Sequence, residues 1–255
     1  MGLIKTNEEI AKMREVNQLT STIFRILDQE VRQGVTTGDL DKIVHDYIVY
    51  ELKARPAPLN YRGFPKSICT SLNHVVCHGI PDHTVLKDGD IINIDVSIEK
   101  DGFYGDTSKM YSIGKVKPFA QRLVDLTQEA LYQAIRAVKP GLPLNIVGKT
   151  IQEFAHKNNL SIVREFCGHG IGTDFHEQPQ VLHYYVPEDN LILKPGMIFT
   201  IEPMINLGAR HIKILSDGWT AVTKDRSLSA QWEHTILITD NGCEVLTLRN
   251  DEKIF

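Results

Sequence analysis

Two stretches of this 255-residue chain, 107 positions apart, carry nearly the same residues and end on an acid at the same place. Leu86-Lys87-Asp88-Gly89-Asp90-Ile91-Ile92-Asn93-Ile94-Asp95 aligns with Leu193-Lys194-Pro195-Gly196-Met197-Ile198-Phe199-Thr200-Ile201-Glu202, and five of the ten residues are identical. Val31-Arg32-Gln33-Gly34-Val35 matches Val138-Lys139-Pro140-Gly141-Leu142 at the same offset. Recurrent loop chemistry accounts for one such match, but poorly for two in register. The pattern therefore points to an internal duplication. A duplicated half folds into a pseudo-two-fold structure, and Asp95 and Glu202 then approach each other across the axis, an arrangement that suits a metal. The fold class expected is α+β: two pseudo-symmetric αβ halves, approximately residues 1–115 and 116–255, around an antiparallel sheet, forming one compact domain over 1–255.

Helix and strand signals agree with two copies of one plan. Thr6-Asn7-Glu8-Glu9 has capping-box form, and an apolar period from Ile10 through Leu27 predicts a helix running to about Glu30. Thr37 begins a second helix, with Leu40, Ile43, Val44 and Tyr47 on one face. The second half repeats the order, with helices over Pro118 to about Val138 and over Leu144 to Lys157. Pro118 suits a first helical turn, where its missing N–H is not needed. Residues 56–67 form a loop rich in Pro, Gly and aromatics.

From Ile91 to Ile98 apolar and polar residues alternate, which predicts a half-buried strand. Asp101-Gly102 is a strong two-residue hairpin signal. With those residues as the turn, Asp95 sits opposite Ser108 and Asp106 opposite Ser97. The two acids then share a face as diagonal neighbours, roughly 7–8 Å apart. A one-residue slip would separate them. Glu202 and Glu233 lie in strand-like segments of the second half, and Asn241-Gly242 marks another hairpin turn. Four acids on such strands, without a matching set of basic residues, need a cation to coexist. The alternative is a polar sheet face open to solvent. His169, in Cys167-Gly168-His169-Gly170-Ile171-Gly172, adds an imidazole between glycines that would let backbone come close to a ligand. Taken alone, it reads equally as a structural turn residue. Carboxylates with one imidazole form a hard, oxygen-rich donor set, better suited to Mn, Fe or Co than to a thiolate zinc site.

Composition removes several classes. The chain is 42% hydrophobic and 24% charged with a formal net charge of −4, which argues against a generic or sequence-specific nucleic-acid binder. Four cysteines, Cys69, Cys77, Cys167 and Cys243, form no CxxC pair, consistent with a reducing cytoplasmic setting. The opening MGLIKTNEEI reads as no signal peptide. No apolar run approaches the roughly 18 residues of a membrane helix.

Six motifs, in order and well spaced, carry a family resemblance: Cys77-His78-Gly79-Ile80-Pro81, Asn93-Ile94-Asp95-Val96, Gly105-Asp106-Thr107-Ser108, Gly168-His169-Gly170-Ile171-Gly172, Ile201-Glu202-Pro203-Met204 and Gln231-Trp232-Glu233-His234-Thr235. From about Lys5 to Leu248 the chain resembles the type I methionine aminopeptidases of bacterial type, a subfamily of the pita-bread metallopeptidases. The resemblance implies the pita-bread fold and hydrolysis of the N-terminal methionine from nascent proteins whose second residue is small. It further implies two divalent ions, Fe(II), Mn(II) or Co(II), held by Asp95, Asp106, His169, Glu202 and Glu233. Asp106 and Glu233 match the bridging carboxylates, and Glu202 also matches the general base. His78 and His176 match histidines that contact the substrate's amide and carbonyl, making the implied catalytic set Glu202, His78 and His176. Tyr61, Phe64, Cys69, Phe175 and Trp219 match a methionine side-chain pocket, and Asn73, Val75 and Ser229 a monovalent cation site.

Two residues depart from the family pattern: His74 stands where an acid is usual, and Phe64 where Tyr is usual. The spacing of Glu202 and Glu233 leaves no room for a type II insertion. Arg210, Lys213, Lys224 and Arg226 occupy a region that related enzymes turn toward the ribosome, although a solvated loop has the same composition. The expected partners are nascent chain N-termini and the ribosome near its peptide exit, with the enzyme itself a cytoplasmic monomer. The rival readings are a proline-directed peptidase of the same fold and a catalytically silent binding protein.

Overall fold

In the computed structural model, which describes residues 2–255, the first helix, α1 (Asn7–Thr22), opens on the expected capping box. The Thr6 hydroxyl accepts the Glu9 N–H at 3.3 Å, and the Glu9 carboxylate accepts the Thr6 N–H at 2.7 Å. It does not run unbroken to Glu30, as its apolar period suggested. A second helix, α2 (Phe24–Glu30), follows across Ile23. Ile23 itself keeps helical dihedrals, φ −60° and ψ −32°. Beside it Thr20, Ser21 and Thr22 donate to the carbonyls of Val16, Gln18 and Leu19, a competition with the helix's own hydrogen bonds. The third helix, α3 (Thr37–Asp46), passes into a wider turn at Tyr47–Glu51, where Leu52 N–H reaches back to Tyr47 O. In the second half, α4 spans Pro118–Ala137 and α5 Ile146–Lys157. The latter starts two residues later than expected.

The duplication is visible hydrogen bond by hydrogen bond. Gly34 N–H donates to Leu86 O at 2.9 Å, and Gly141 N–H to Leu193 O at 2.8 Å. Leu86 N–H donates to Val35 O and Leu193 N–H to Leu142 O, both at 2.9 Å. Gly89 and Gly196, at φ +91° and +88°, turn the chain into the two equivalent strands. A side chain would be strained there.

Those strands are Ile91–Lys100 and Ile198–Ile201. The first pairs with Phe103–Ser112 in the register read from the Asp101-Gly102 turn: Asp95 opposite Ser108, Ser97 opposite Asp106. Asp101 and Gly102 both have positive φ, 52° and 82°, as the two-residue turn requires. The second pairs with His234–Ile238, which continues to Cys243–Val245. That last hairpin differs from expectation. Ile238 pairs with Cys243 and Thr239 N–H donates to Gly242 O, so Asp240-Asn241 form the turn rather than Asn241-Gly242.

The run 231–238 is also interrupted. Ser229–Gln231 pairs with Met204–Asn206 in one sheet, and His234–Ile238 with Ile198–Ile201 in another. Pro203 has no N–H to continue a ladder, so both strands switch sheets together at Glu202-Pro203 and Trp232-Glu233. This break is what frees Glu202 and Glu233 from regular pairing.

The helices of each half cover its sheet. Met13, Leu27, Leu40 and Val44 pack with Ile92, Ile94, Val96 and Ile98 in one core, while Leu123, Leu131, Ile135 and Ile151 pack with Phe199, Ile201 and Ile236 in the other. Each fully buried Ile or Leu contributes about 1.5–3 kcal/mol, so the alternation in Ile91–Ile98 fixes which face is apolar. The opposite face, with Asn93, Asp95 and Ser97, looks inward to the seam between halves. Side-chain hydrogen bonds clamp that seam. Thr107 Oγ1 donates to Glu233 O at 2.6 Å, Thr235 Oγ1 to Asp106 O at 2.8 Å, and Asn93 Nδ2 to Gln231 O at 2.7 Å. Ser108 and Glu233 form an antiparallel bridge across it. Among the described residues, no helix is long and apolar enough to cross a membrane.

Candidate metal centre

The seam brings together all five residues expected as ligands. Asp95 projects from the centre of its strand, and Asp106 is its diagonal neighbour on the partner strand. Ligand atoms of Asp106, His169 and Glu233 lie within 4.8 Å of one another, and all three residues are buried. His169 Nε2 stands 3.5 Å from Asp106 Oδ2 and 3.6 Å from Glu202 Oε1. The other imidazole nitrogen, Nδ1, is 3.0 Å from Gly170 O. Donation to that carbonyl places the proton on Nδ1 and leaves the Nε2 lone pair facing the acids, the tautomer a metal ligand needs.

The glycines around His169 do a different job from the one expected. A Cβ at Gly168 would overlap the Thr200 carbonyl oxygen, and one at Gly170 the Gln178 carbonyl oxygen. They let the short strand Gly168–Gly170 fit between its neighbours, rather than admit a ligand. Gly79, beside His78, has the same role against Thr70 O. His78 itself adopts φ +56°, a strained conformation for a residue with a side chain.

Several residues that orient the acids carry no motif-level signal. Thr200 Oγ1 accepts the His169 N–H at 3.0 Å and donates to Glu202 Oε1 at 2.8 Å, so one hydroxyl aligns both groups. Ser97 donates to Asp106 Oδ1 at 2.7 Å, and Gln231 Nε2 to Glu202 Oε2 at 3.2 Å. His183 is fully buried, and its Nε2 accepts the backbone N–H of Glu202 at 3.1 Å. Burial pushes His183 down to about 3, so it stays neutral and keeps that acceptor. A buried His in Leu182-His183-Tyr184 looks like core from sequence; only the pairing of residues far apart reveals its contact. His183→Leu should leave the Glu202 N–H buried and unpaired, costing about 1–3 kcal/mol. His183→Gln, which retains an acceptor, should recover most of the loss in chemical denaturation. Equal stability of the two variants would remove the hydrogen bond from the account.

Electrostatics favour a cation here. Burial, then the charge of Asp106, pushes the carboxyl of Asp95 well above the carboxylate range, and the same two causes act on Glu233. Burial also raises Glu202 to about 7, against the opposing pull of His169. For His169, burial lowers basicity, but the hydrogen bond to Asp106 and the charge of Glu202 outweigh it and leave a net rise. Asp95 Oδ1 is buried and makes no hydrogen bond. Of the described residues lining the cavity, Arg62 is the only Arg or Lys. Carboxylates so crowded ionise together only around metal. The donor set, four carboxylates and one neutral imidazole, fits hard divalent ions.

Above the acids lies a cavity of about 670 Å³, lined by Tyr61, Phe64, Cys69, His78, Phe175, His176 and Trp219 as expected, together with Phe166 and Met204. Phe64 meets Trp219 edge-on at 5.2 Å, Tyr61 meets Phe175 at 5.1 Å, and the His78 ring abuts Phe166 at 5.2 Å. Tyr61 Oη is 2.9 Å from His176 Nδ1. Burial first, then His169, His78 and Arg62, lowers the basicity of His176, and burial also lowers that of His78. Both therefore face the cavity neutral.

Other expected groupings lie outside the cavity. Asn73 O accepts the Ser229 N–H at 2.9 Å, and Val75 lies in the adjoining strand Val75–Cys77. Arg210, Lys213, Lys224 and Arg226 surround the hairpin formed by Ile212–Ile214 and Ala221–Thr223. Burial and the charges of Arg226 and Lys213 lower the basicity of His74.

Carboxylate-rich ligand shells at the floor of a cavity serve metal-assisted hydrolysis. Residues 11–240 match metallopeptidase family M24, and the chain belongs to that family. Within it, the chain is similar to the methionine aminopeptidase of Escherichia coli (strain K12), with 58% identity over 98% of this chain and 96% of that one. The crystal structure of methionine aminopeptidase from Rickettsia prowazekii superposes with a TM-score of 0.94 at 48% identity, covering 96% of this chain and 99% of that one. The prolidase from Pyrococcus furiosus shares the fold at a TM-score of 0.76 and 22% identity, over 97% of this chain and 66% of that one.

Proposed function

We propose that this chain is a metal-dependent methionyl aminopeptidase, which removes the N-terminal methionine from nascent polypeptides whose second residue is small. The observation that carries this reading is the placement of five ligand-type residues at the floor of a cavity walled by Tyr61, Phe64, Phe175 and Trp219. Asp95, Asp106, His169, Glu202 and Glu233 would hold two divalent ions. Those ions would supply Lewis acidity and an activated water at neutral pH.

The remaining chemistry belongs to side chains. Glu202, raised to about 7, is poised to take a proton from water and return it to the leaving amine. His78 and His176, both neutral, would donate hydrogen bonds to the substrate amide and to the carbonyl oxygen as charge develops there. Tyr61, Phe64, Cys69, Phe175 and Trp219 would enclose the methionine side chain and exclude water. Selectivity for a small second residue would arise from steric limits at the mouth. Asn73, Val75 and Ser229 would hold a structural monovalent cation.

On this reading residues 1–255 form a single catalytic unit that acts as a cytoplasmic monomer. The basic hairpin with Arg210, Lys213, Lys224 and Arg226 would face the ribosome.

With Mn(II), cleavage of Met-Gly-Met should exceed that of Met-Leu-Met by at least about 100-fold, since a branched second residue meets the steric limit. Chelator should abolish both. Hydrolysis of Ala-Pro peptides alone would favour the proline-directed alternative, and cleavage of no peptide under any metal would favour a silent binding protein.

A further inference from the structure

The N-terminal segment runs under the loop that carries Phe175 and His176. Leu3 packs on the second-half core, and Lys5 N–H donates to Gly196 O at 2.8 Å. The Lys5 side chain then turns inward and ion-pairs with Glu177, with side-chain exposures of 2% and 10%. A lysine so buried is held only by its partners. Glu177 opens the strand Glu177–Val181 directly after His176, and its Oε1 also accepts the Asp174 N–H at 3.1 Å.

The ion pair fills the space beneath Gly172. A Cβ at that position would stand 2.6 Å from Lys5 Nζ and 2.7 Å from Glu177 Oε1. From the other side, Tyr104 N–H donates to Gly172 O at 2.9 Å, and the Tyr104 ring stacks on Phe175 at 5.5 Å. Residues 172–176 are thus a short turn pinned at its base by Lys5–Glu177 and at its flank by Tyr104. Its two functional side chains face the cavity, and the His176 ring centroid lies 4.2 Å from that of His169.

We propose that Lys5 is a positioning residue for the Phe175–His176 turn: acting through Glu177, it fixes where these side chains meet the substrate. This inference rests on the aminopeptidase reading given above. It makes the far N-terminus part of the substrate site through Glu177, which lines the cavity.

The test compares Lys5→Met, Glu177→Gln and the double variant with the parent chain, all loaded with Mn(II). Lys5→Met should raise KM for Met-Gly-Met at least about tenfold, with kcat falling less and Mn(II) affinity by calorimetry within about twofold of the parent. Hydrogen exchange at amides 172–177 should accelerate, while that of 95–106 should not. The double variant should be no worse than the poorer single one, because the same contact is lost in each. A fall in Tm with KM and local exchange unchanged, or additive effects in the double variant, would overturn the proposal. Should Lys5→Met fail to fold, Glu177→Gln, which keeps an acceptor for Asp174, decides by the same measurements. Exchange is read without substrate, so a parent chain inactive on Met-Gly-Met would count against the aminopeptidase reading while the turn's dependence on Lys5 is still decided.

Discussion

Glu202→Gln is expected to lower kcat by about 1000-fold or more while leaving the fold intact. General acid–base groups contribute roughly 10²–10⁴ in rate, and a 1000-fold loss corresponds to about 4 kcal/mol of transition-state stabilisation. The amide is isosteric: its oxygen can keep the Thr200 bond, its NH2 can donate to Gln231 Oε1 once that side-chain amide turns over, and His183 still accepts the backbone N–H. It retains an oxygen for a metal but cannot take up a proton near neutral pH. KM should therefore move little, and the Tm of the loaded protein by no more than a few degrees. Activity within tenfold of the parent would sink the base assignment. Thr200→Val is the informative companion, because it removes the hydroxyl shared by His169 and Glu202 and should lower kcat far less than loss of the carboxylate.

The duplication was legible because turns are local. Gly34, Gly89, Gly141 and Gly196 record backbone conformations that only a few residues tolerate, so their spacing survives in the sequence. The Asp101-Gly102 turn likewise set the register that makes Asp95 and Asp106 neighbours. What could not be read was anything decided between distant segments. Thr200, His183 and Ser97 are ordinary residues until the sheets place them beside an acid. The interruption at Ile23 falls beside three hydroxyl side chains that bond backbone carbonyls, a competition that an apolar period does not register. The glycines at 168 and 170 were noticed for a sound reason but assigned the wrong neighbour: they meet strand carbonyls, not a ligand.

The register also refines the symmetry. Asp95 and Glu202 are equivalent at the 107-residue offset. Their cross-strand counterparts are Ser108 and Glu233, since Ile201 opposite His234 and Met204 opposite Gln231 extend to Glu202 opposite Glu233. The equivalent of Asp106, opposite Ser97, is then Gln231, which lies opposite Met204. Each half thus supplies two of the four acids, but from different positions of its second strand. The halves differ beyond Asn206 and Ser229, where the second carries the further hairpin Ile212–Ile214 and Ala221–Thr223 and the first only the Asp101-Gly102 turn. The asymmetry that distinguishes Glu202 from Asp95 comes from its partners, Gln231 where the first half has Asp106, and His183 on its backbone N–H.

Above the ordinary histidine value of about 6.5, the metal-free chain should lose stability as pH rises, opposite to the usual behaviour of carboxylate-rich proteins. Glu202 is raised in the folded state from 4.5 to about 7. A group with a raised folded value binds its proton more tightly when folded, so its contribution is fully present below the unfolded value and is lost as pH climbs through the folded one. For Glu202 alone that loss is about 3 kcal/mol between about pH 4.5 and 8, at roughly 1.36 kcal/mol per pH unit. Asp95 and Glu233 shift in the same direction. At roughly 2–4 °C per kcal/mol for a chain of this size, the chelated protein should melt a few degrees lower at about pH 8.5 than at about pH 7. Carboxyls held below their ordinary values, such as Glu252 beside His234 and Arg249, act in the other direction below about pH 4.5. The buried His176 and His183, lowered from 6.5 to about 3, also act in that direction, and their window ends near about pH 6.5, below the range of this fall in Tm. Saturating Mn(II) should reverse the trend, because a cation stabilises the ionised acids and its binding displaces their protons more easily as pH rises. Calorimetry in buffers of different ionisation enthalpy should then show net proton release on metal binding near about pH 6. A chelated melting curve flat across that pH range, with no proton release, would mean that these acids are not crowded in the way their burial and spacing require.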